Sequence, residues 1–182
     1  MTMNPWEEMT SSKVPHSHPV RGLEMQIAST TDKGEQTPGQ VDGLPCGAAA
    51  AFAVYEQLAS TVTERLNQRT FDFASDIAPH VDEHFIEVVD GRPLDLEHVE
   101  ETFSPIVKAI AVGASFSWSV RLEQGRDLAS DITLLITVAQ VSVTPAGESP
   151  DLKRYRITNL LSRNSAGKWV FLHQHRTEIP EV

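Results

Sequence analysis

The sequence predicts an α+β domain in which helices come first and an antiparallel meander comes last. Helical spacing of apolar residues dominates up to Gly113, and alternation replaces it from there to the C-terminus. The clusters Gln124-Gly125-Arg126-Asp127, Pro145-Ala146-Gly147 and Asn164-Ser165-Ala166-Gly167 divide the alternating half. Turns this short join antiparallel neighbours.

Residues 1–45 mix Ser, Thr, Pro and Gly with scattered charges and read as a flexible arm; Leu23 to Ile27 alternates and is a minor candidate for an edge strand. Residues 46–182 form the expected domain. Phe52, Tyr55, Ala59, Val62 and Leu66 make one stripe of a helix over Ala48 to Asn67. Phe71 to Val81 reads as a second, short helix capped by Ser75. Phe85 to Val89 is a short strand ending at the turn Asp90-Gly91. A third helix follows Pro93, with Asp95 as its cap and Leu96, Val99 and Phe103 as its buried stripe. Pro105 is expected to kink it or start a fresh turn running to Ala111. Four strands then run over Phe116 to Glu123, Ile132 to Val143, Arg154 to Arg163 and Lys168 to Glu178.

The chain has 182 residues, 40% of them hydrophobic, enough for one core. Its net charge of −10 comes without any Lys/Arg cluster, which argues against nucleic acid and anionic membranes as partners. The single cysteine, Cys46, cannot close an intrachain disulfide, so a cytoplasmic setting is expected. Glu7 and Glu8 stand where a signal peptide would need an apolar run, and no stretch reaches the roughly 20 apolar residues of a membrane span.

Strand alternation places Tyr155, Ile157, Asn159 and Leu161 on one face. In the last strand it groups Val170, Leu172, Gln174 and Arg176 against Trp169, Phe171, His173 and His175. The row Ile132, Leu134, Ile136, Val138 and Gln140 is almost wholly apolar and is expected to meet the helices or a ligand. Trp169 and Phe171 are expected on the outer face, against a second subunit.

Arg156-Ile157-Thr158 leading to Arg163, then the run from Lys168-Trp169 to His173-Gln174-His175-Arg176-Thr177, resembles the closing hairpin of SnoaL-like domains in the nuclear-transport-factor-2-like (NTF2-like) superfamily. The ending is most similar to the Trp-x-x-x-His-x-His-Arg-Ser of the association domain of calcium/calmodulin-dependent kinase II. In element order the resemblance covers about residues 48–178. It implies a cone-shaped fold, a homodimer and a pocket between the helices and the concave sheet face. Members include polyketide cyclases, steroid-type isomerases, dehydratases and non-catalytic assembly domains.

By the same resemblance Arg176 is the counterpart of a pocket arginine, which brings Gln174, Leu172 and Val170 in with it. A second pocket arginine of those relatives falls at Asn159, and the catalytic Asp of the isomerases falls at Val88, with Glu87 and Asp90 as neighbours. The candidate ligand-binding residues are therefore Arg176, Gln174, Asn159, Tyr155 and Gln140. His84, Glu87 and Asp90 are the candidate acid/base groups, drawn from a wider set with Asp72, Asp76, Asp82 and His80. A guanidinium on an apolar face needs either a ligand's acid or carbonyl group or an internal carboxylate, for which Glu97 and Glu178 are candidates. His173-x-His175 has strand spacing for two metal ligands but lacks the rest of a site. His80-x-x-x-His84 has helical spacing without the glutamate of a zinc protease. No metal and no cofactor are expected. The function expected is that of a small-molecule pocket protein, an isomerase, cyclase or dehydratase acting on a polyketide- or terpenoid-like apolar substrate. The alternative is a non-catalytic ligand-binding or assembly domain.

Overall fold

The computed structural model describes residues 44–180; apart from residues 44 and 45, the expected arm lies outside them, as does the Leu23 to Ile27 segment. Helix α1 spans Cys46–Asn67 and buries Ala48, Ala51, Tyr55, Leu58, Ala59, Val62 and Leu66. Its stripe is rich in alanine, so the helix axis can approach the sheet closely. Pro45 precedes it with no side-chain cap. The missing cap comes from the sheet, where the Asp127 carboxylate accepts from the Gly47 N–H at 3.1 Å.

The expected second helix is shorter and its cap is different. Helix α2 covers only Phe73–Asp76, and a 3₁₀ turn follows over Ala78–His80. The cap is Asp72, whose side chain accepts from the Ser75 N–H at 3.1 Å. Ile77 separates the two turns, and Pro79, with no N–H to give, sits within the first positions of the 3₁₀ turn, where none is needed. Strand β1, Val81–Val89, therefore starts earlier than expected, and the His80 to His84 spacing runs from the 3₁₀ turn into the strand rather than along a helix. Asp90 and Gly91 have φ of 49° and 81°, the conformation of a tight hairpin turn, and lead into the short strand β2, Arg92–Leu94.

Helix α3 runs unbroken over Leu96–Ala111, capped by Asp95 as expected. Pro105 lies inside it and does not divide it. The carbonyl that loses a partner there belongs to Glu101, an exposed residue, so water can solvate it. Gly113, at φ 103°, ends the helix with a backbone that only glycine adopts without strain.

Strand β3 covers Ser115–Ala129, β4 Ile132–Thr144, β5 Asp151–Arg163 and β6 Trp169–Glu178. The expected turn at Gln124 to Asp127 is not a turn. Two bulges, between Leu122 and Gln124 and between Asp127 and Ala129, absorb those residues while β3 stays paired to β4. Gly125 is there because a Cβ would stand 2.9 Å from that of Ala48.

The six strands form one sheet in the order β2-β1-β6-β5-β4-β3. The meander β3 to β6 is antiparallel as expected, but β1 adds to β6 in parallel, so the sheet is mixed. The inner face, against α1, is lined on β4 by Thr133, Leu135, Thr137 and Ala139 and on β5 by Tyr155, Ile157, Asn159 and Leu161, all buried.

Two face assignments change. Ile132, Leu134 and Ile136 are half-buried and point away from α1, with Leu160 opposite Leu134. The smaller row, with its two threonines, meets the helix because α1 lies too close for a row of isoleucines. In β6 the register slips, with Leu160 opposite His173 but Leu161 opposite Phe171, leaving Leu172 as an extra residue. That bulge reverses the alternation. Trp169 and Phe171 therefore share the inner face with Gln174 and Arg176, and both aromatics are buried. Tyr55 meets Phe171 edge-on with ring centroids 5.2 Å apart. Among the described residues no helix is long and apolar enough to cross a membrane.

Candidate functional site

Four of the five expected ligand-binding residues come together on the inner face. Asn159 is fully buried in mid-β5, and its Cα partner on β6 is Gln174. Gln174 Nε2 donates to Asn159 Oδ1 at 2.7 Å, and Asn159 Nδ2 donates to Thr137 Oγ1 at 3.3 Å. Thr137 Oγ1 in turn donates to the Ile157 carbonyl at 3.5 Å. Arg176 stands one inward step further along β6, with its guanidinium carbon 5.0 Å from the centroid of the Tyr155 ring. The fifth residue, Gln140, is exposed and sits opposite Arg154 on the outer face, so it does not belong to this cluster. It falls outside because β4 presents its odd-numbered residues inward.

The carboxylate that Arg176 needs is Glu87, not Glu97 or Glu178. Parallel pairing of β1 with β6 places Glu87 opposite Gln174. Arg176 Nε lies 3.0 Å from Glu87 Oε1, although its N–H is not aligned on that oxygen. Only 4% of the Glu87 side chain and 16% of the Arg176 side chain are exposed, so the two charges face each other largely without water. Burial raises the Glu87 pKa above the usual carboxylate value, and the neighbouring guanidinium opposes that shift.

The Tyr55 hydroxyl completes the group from α1. It is buried with Gln174 and Thr137 within reach, but neither makes a well-aligned hydrogen bond to it. Burial and then the Glu87 charge push its pKa up, against Arg176, Gln174 and Thr137, so the phenol stays neutral. Nothing but the general need of a buried tyrosine for a partner marks Tyr55 in the sequence. Thr137 carries no signal beyond its place in an alternating strand. Tyr155 also has a raised pKa, mainly from burial and despite Arg176, with Glu178, Asp90 and Asp151 adding to the shift.

Of the acid/base candidates only Glu87 joins the cluster. His84 is exposed near the start of β1, its ring nearest Glu83 at 3.7 Å, and Asp90 is exposed at the β1–β2 turn. His173 and His175 lie opposite Leu160 and Thr158 on the outer face. Among the described residues no three His, Cys, Asp or Glu side chains are grouped to hold a metal ion. A separate open groove of about 420 Å³ runs between α1 and β3, bordered by Glu56, Ser60, Glu64 and Trp118.

No family model matches the sequence, and no curated protein matches it either. Solved structures do resemble it in shape. An NTF2-like protein of unknown function from Prochlorococcus sp. NATL2A is 15% identical with a TM-score of 0.54, over 74% of this chain and 94% of that one. A putative calcium/calmodulin-dependent protein kinase II association domain from Xanthomonas campestris is 16% identical with a TM-score of 0.54, over 72% of this chain and 86% of that one. An uncharacterised protein with a cystatin-like fold from Caulobacter vibrioides is 17% identical with a TM-score of 0.50, over 74% and 90%. With helices followed by a mixed six-stranded sheet, the chain shares the α+β, NTF2-like fold of these neighbours.

Proposed function

We propose that this is a SnoaL-like small-molecule protein, a cytoplasmic isomerase, cyclase or dehydratase that works without a cofactor on an apolar, carbonyl-bearing molecule of polyketide or terpenoid type. Its site is the inner-face cluster. The observation that supports this reading is the Tyr55 hydroxyl, buried without a well-aligned hydrogen bond beside a buried ion pair. An orphaned polar group costs about 1–3 kcal/mol, a cost that a ligand oxygen would remove. A neutral phenol donates to a carbonyl oxygen and stabilises the charge that develops there. Glu87, desolvated and raised in pKa, is the base for a proton on the adjacent carbon. Arg176 opposes that rise and favours the ionised form.

The test is a thermal-shift screen of cyclic and linear ketones against the wild type and Tyr55→Phe. Ketones that raise the melting temperature of the wild type and not of Tyr55→Phe support the reading, and a screen without such compounds overturns it. For a bound ketone, the wild type in D₂O should exchange the α-protons and Glu87→Gln should not.

A second reading, non-catalytic binding, is favoured by the 3.0 Å approach of Arg176 to Glu87, because a paired carboxylate is a weaker base. Binding without exchange would select it. In both readings the chain is a homodimer. The half-buried apolar residues Ile132, Leu134, Ile136 and Leu160 on the outer face support that assembly.

A further inference from the structure

Three side chains and one backbone carbonyl form a hydrogen-bonded row across the inner face, and the direction of that row decides what Gln174 offers to a ligand. At the far end the Ile157 carbonyl can only accept, so the Thr137 hydroxyl donates to it, at 3.5 Å. The Thr137 oxygen is then left to accept from Asn159 Nδ2, at 3.3 Å. Asn159 consequently turns Oδ1 toward β6, where Gln174 Nε2 donates to it at 2.7 Å. Turning only the Gln174 amide over would set two acceptor oxygens at that short distance. Turning both amides over would make Thr137 donate to Asn159, and the bond to Ile157 would be lost. The bond to the Ile157 carbonyl is long, yet it is what differs between the two fully bonded directions.

We infer that Gln174 presents its Oε1 as an acceptor to the site, so that the site selects ligands bearing a hydrogen-bond donor, a hydroxyl or N–H group, beside the group held by Tyr55. This rests on the pocket reading proposed above and adds the ligand's second polar group to it. Among the described residues the Gln174 amide makes its hydrogen bond through Nε2, to Asn159, and none is made to Oε1. Asn159 and Thr137, each fully buried, are positioning residues that keep the amide from turning. An acceptor fixed in this way penalises an apolar ligand that covers it without donating, which makes it a device for discrimination.

Fluorescence titration of the full chain with 2-naphthol and with 2-fluoronaphthalene separates the possibilities. The two are alike in size and apolar area, but only the first donates. The wild type should bind 2-naphthol about tenfold more tightly, the factor for one net hydrogen bond of ordinary strength. In Gln174→Met, which keeps the chain length and removes the acceptor, the two affinities should converge. Equal affinities in the wild type would overturn the inference while leaving the pocket in place. Binding of neither compound would overturn the pocket reading itself. A folded Gln174→Met protein that keeps the full preference would move the acceptor role to Glu87 and overturn the inference. Should that variant fail to fold, the comparison of the two probes on the wild type decides alone.

Discussion

Arg176 and Glu87, on neighbouring parallel strands, bring Nε and Oε1 to 3.0 Å in a place where both side chains are largely shielded from water. Arg176→Met would leave the Glu87 charge buried without its counter-ion. That should cost roughly 3–5 kcal/mol in chemical denaturation at neutral pH, and Glu87→Gln added to it should restore most of the loss. The double-mutant cycle is the measurement.

Glu87 has a folded pKa above its unfolded value, so its contribution is most favourable where the group is protonated and is lost as pH rises through the folded pKa. Removing Arg176, which opposes the upward shift, raises the folded pKa further. The stability gap between wild type and Arg176→Met should therefore open as pH rises through the folded pKa of Glu87 in the wild type and close below it, where the group is protonated in both folded proteins. A gap independent of pH would show that Arg176 acts through packing rather than charge.

Tyr55→Phe removes a hydroxyl with no well-aligned hydrogen bond and keeps the edge contacts to Phe171 and Trp118, at 5.2 and 5.9 Å. Thermal unfolding should move little, by less than about 0.5 kcal/mol or toward greater stability. A loss of more than about 1 kcal/mol would mean that the hydroxyl serves the fold.

Phe171→Glu should unfold the domain rather than dissociate a dimer, because Phe171 is buried against Tyr55 on the inner face. The cost should be at least about 3 kcal/mol. Leu160→Arg places a charge on the outer face opposite Leu134 and should instead halve the mass seen by analytical ultracentrifugation with the circular dichroism unchanged. A wild type that sediments as a monomer at micromolar concentration would remove the homodimer from the proposal.

Gly125→Ala tests the close approach of α1 to β3. A Cβ at 125 would lie 2.9 Å from Ala48 Cβ and 3.1 Å from Leu44 Cδ2, so overpacking should cost about 1–3 kcal/mol in urea unfolding.

Periodicity alone determined that α1 exists, where α3 is capped, that four alternating strands follow Gly113, and that Tyr155, Ile157, Asn159 and Leu161 share a face. These are local properties, set by spacing along the chain. Tertiary structure decided which face turns inward. A single extra residue at Leu172 carries Phe171 and Trp169 from the outer side to the inner, and bulges in β3 turn an expected loop into strand. Neither has a signature in one sequence, because a bulge depends on the partner strand's register. The candidate site divides in the same way. Arg176, Gln174 and Asn159 were legible from alternation and the hairpin resemblance, whereas Glu87 as the partner of Arg176 was not. The parallel pairing of β1 with β6 joins strands far apart in the chain, and only the closed sheet brings that carboxylate, the guanidinium and the Tyr55 hydroxyl together.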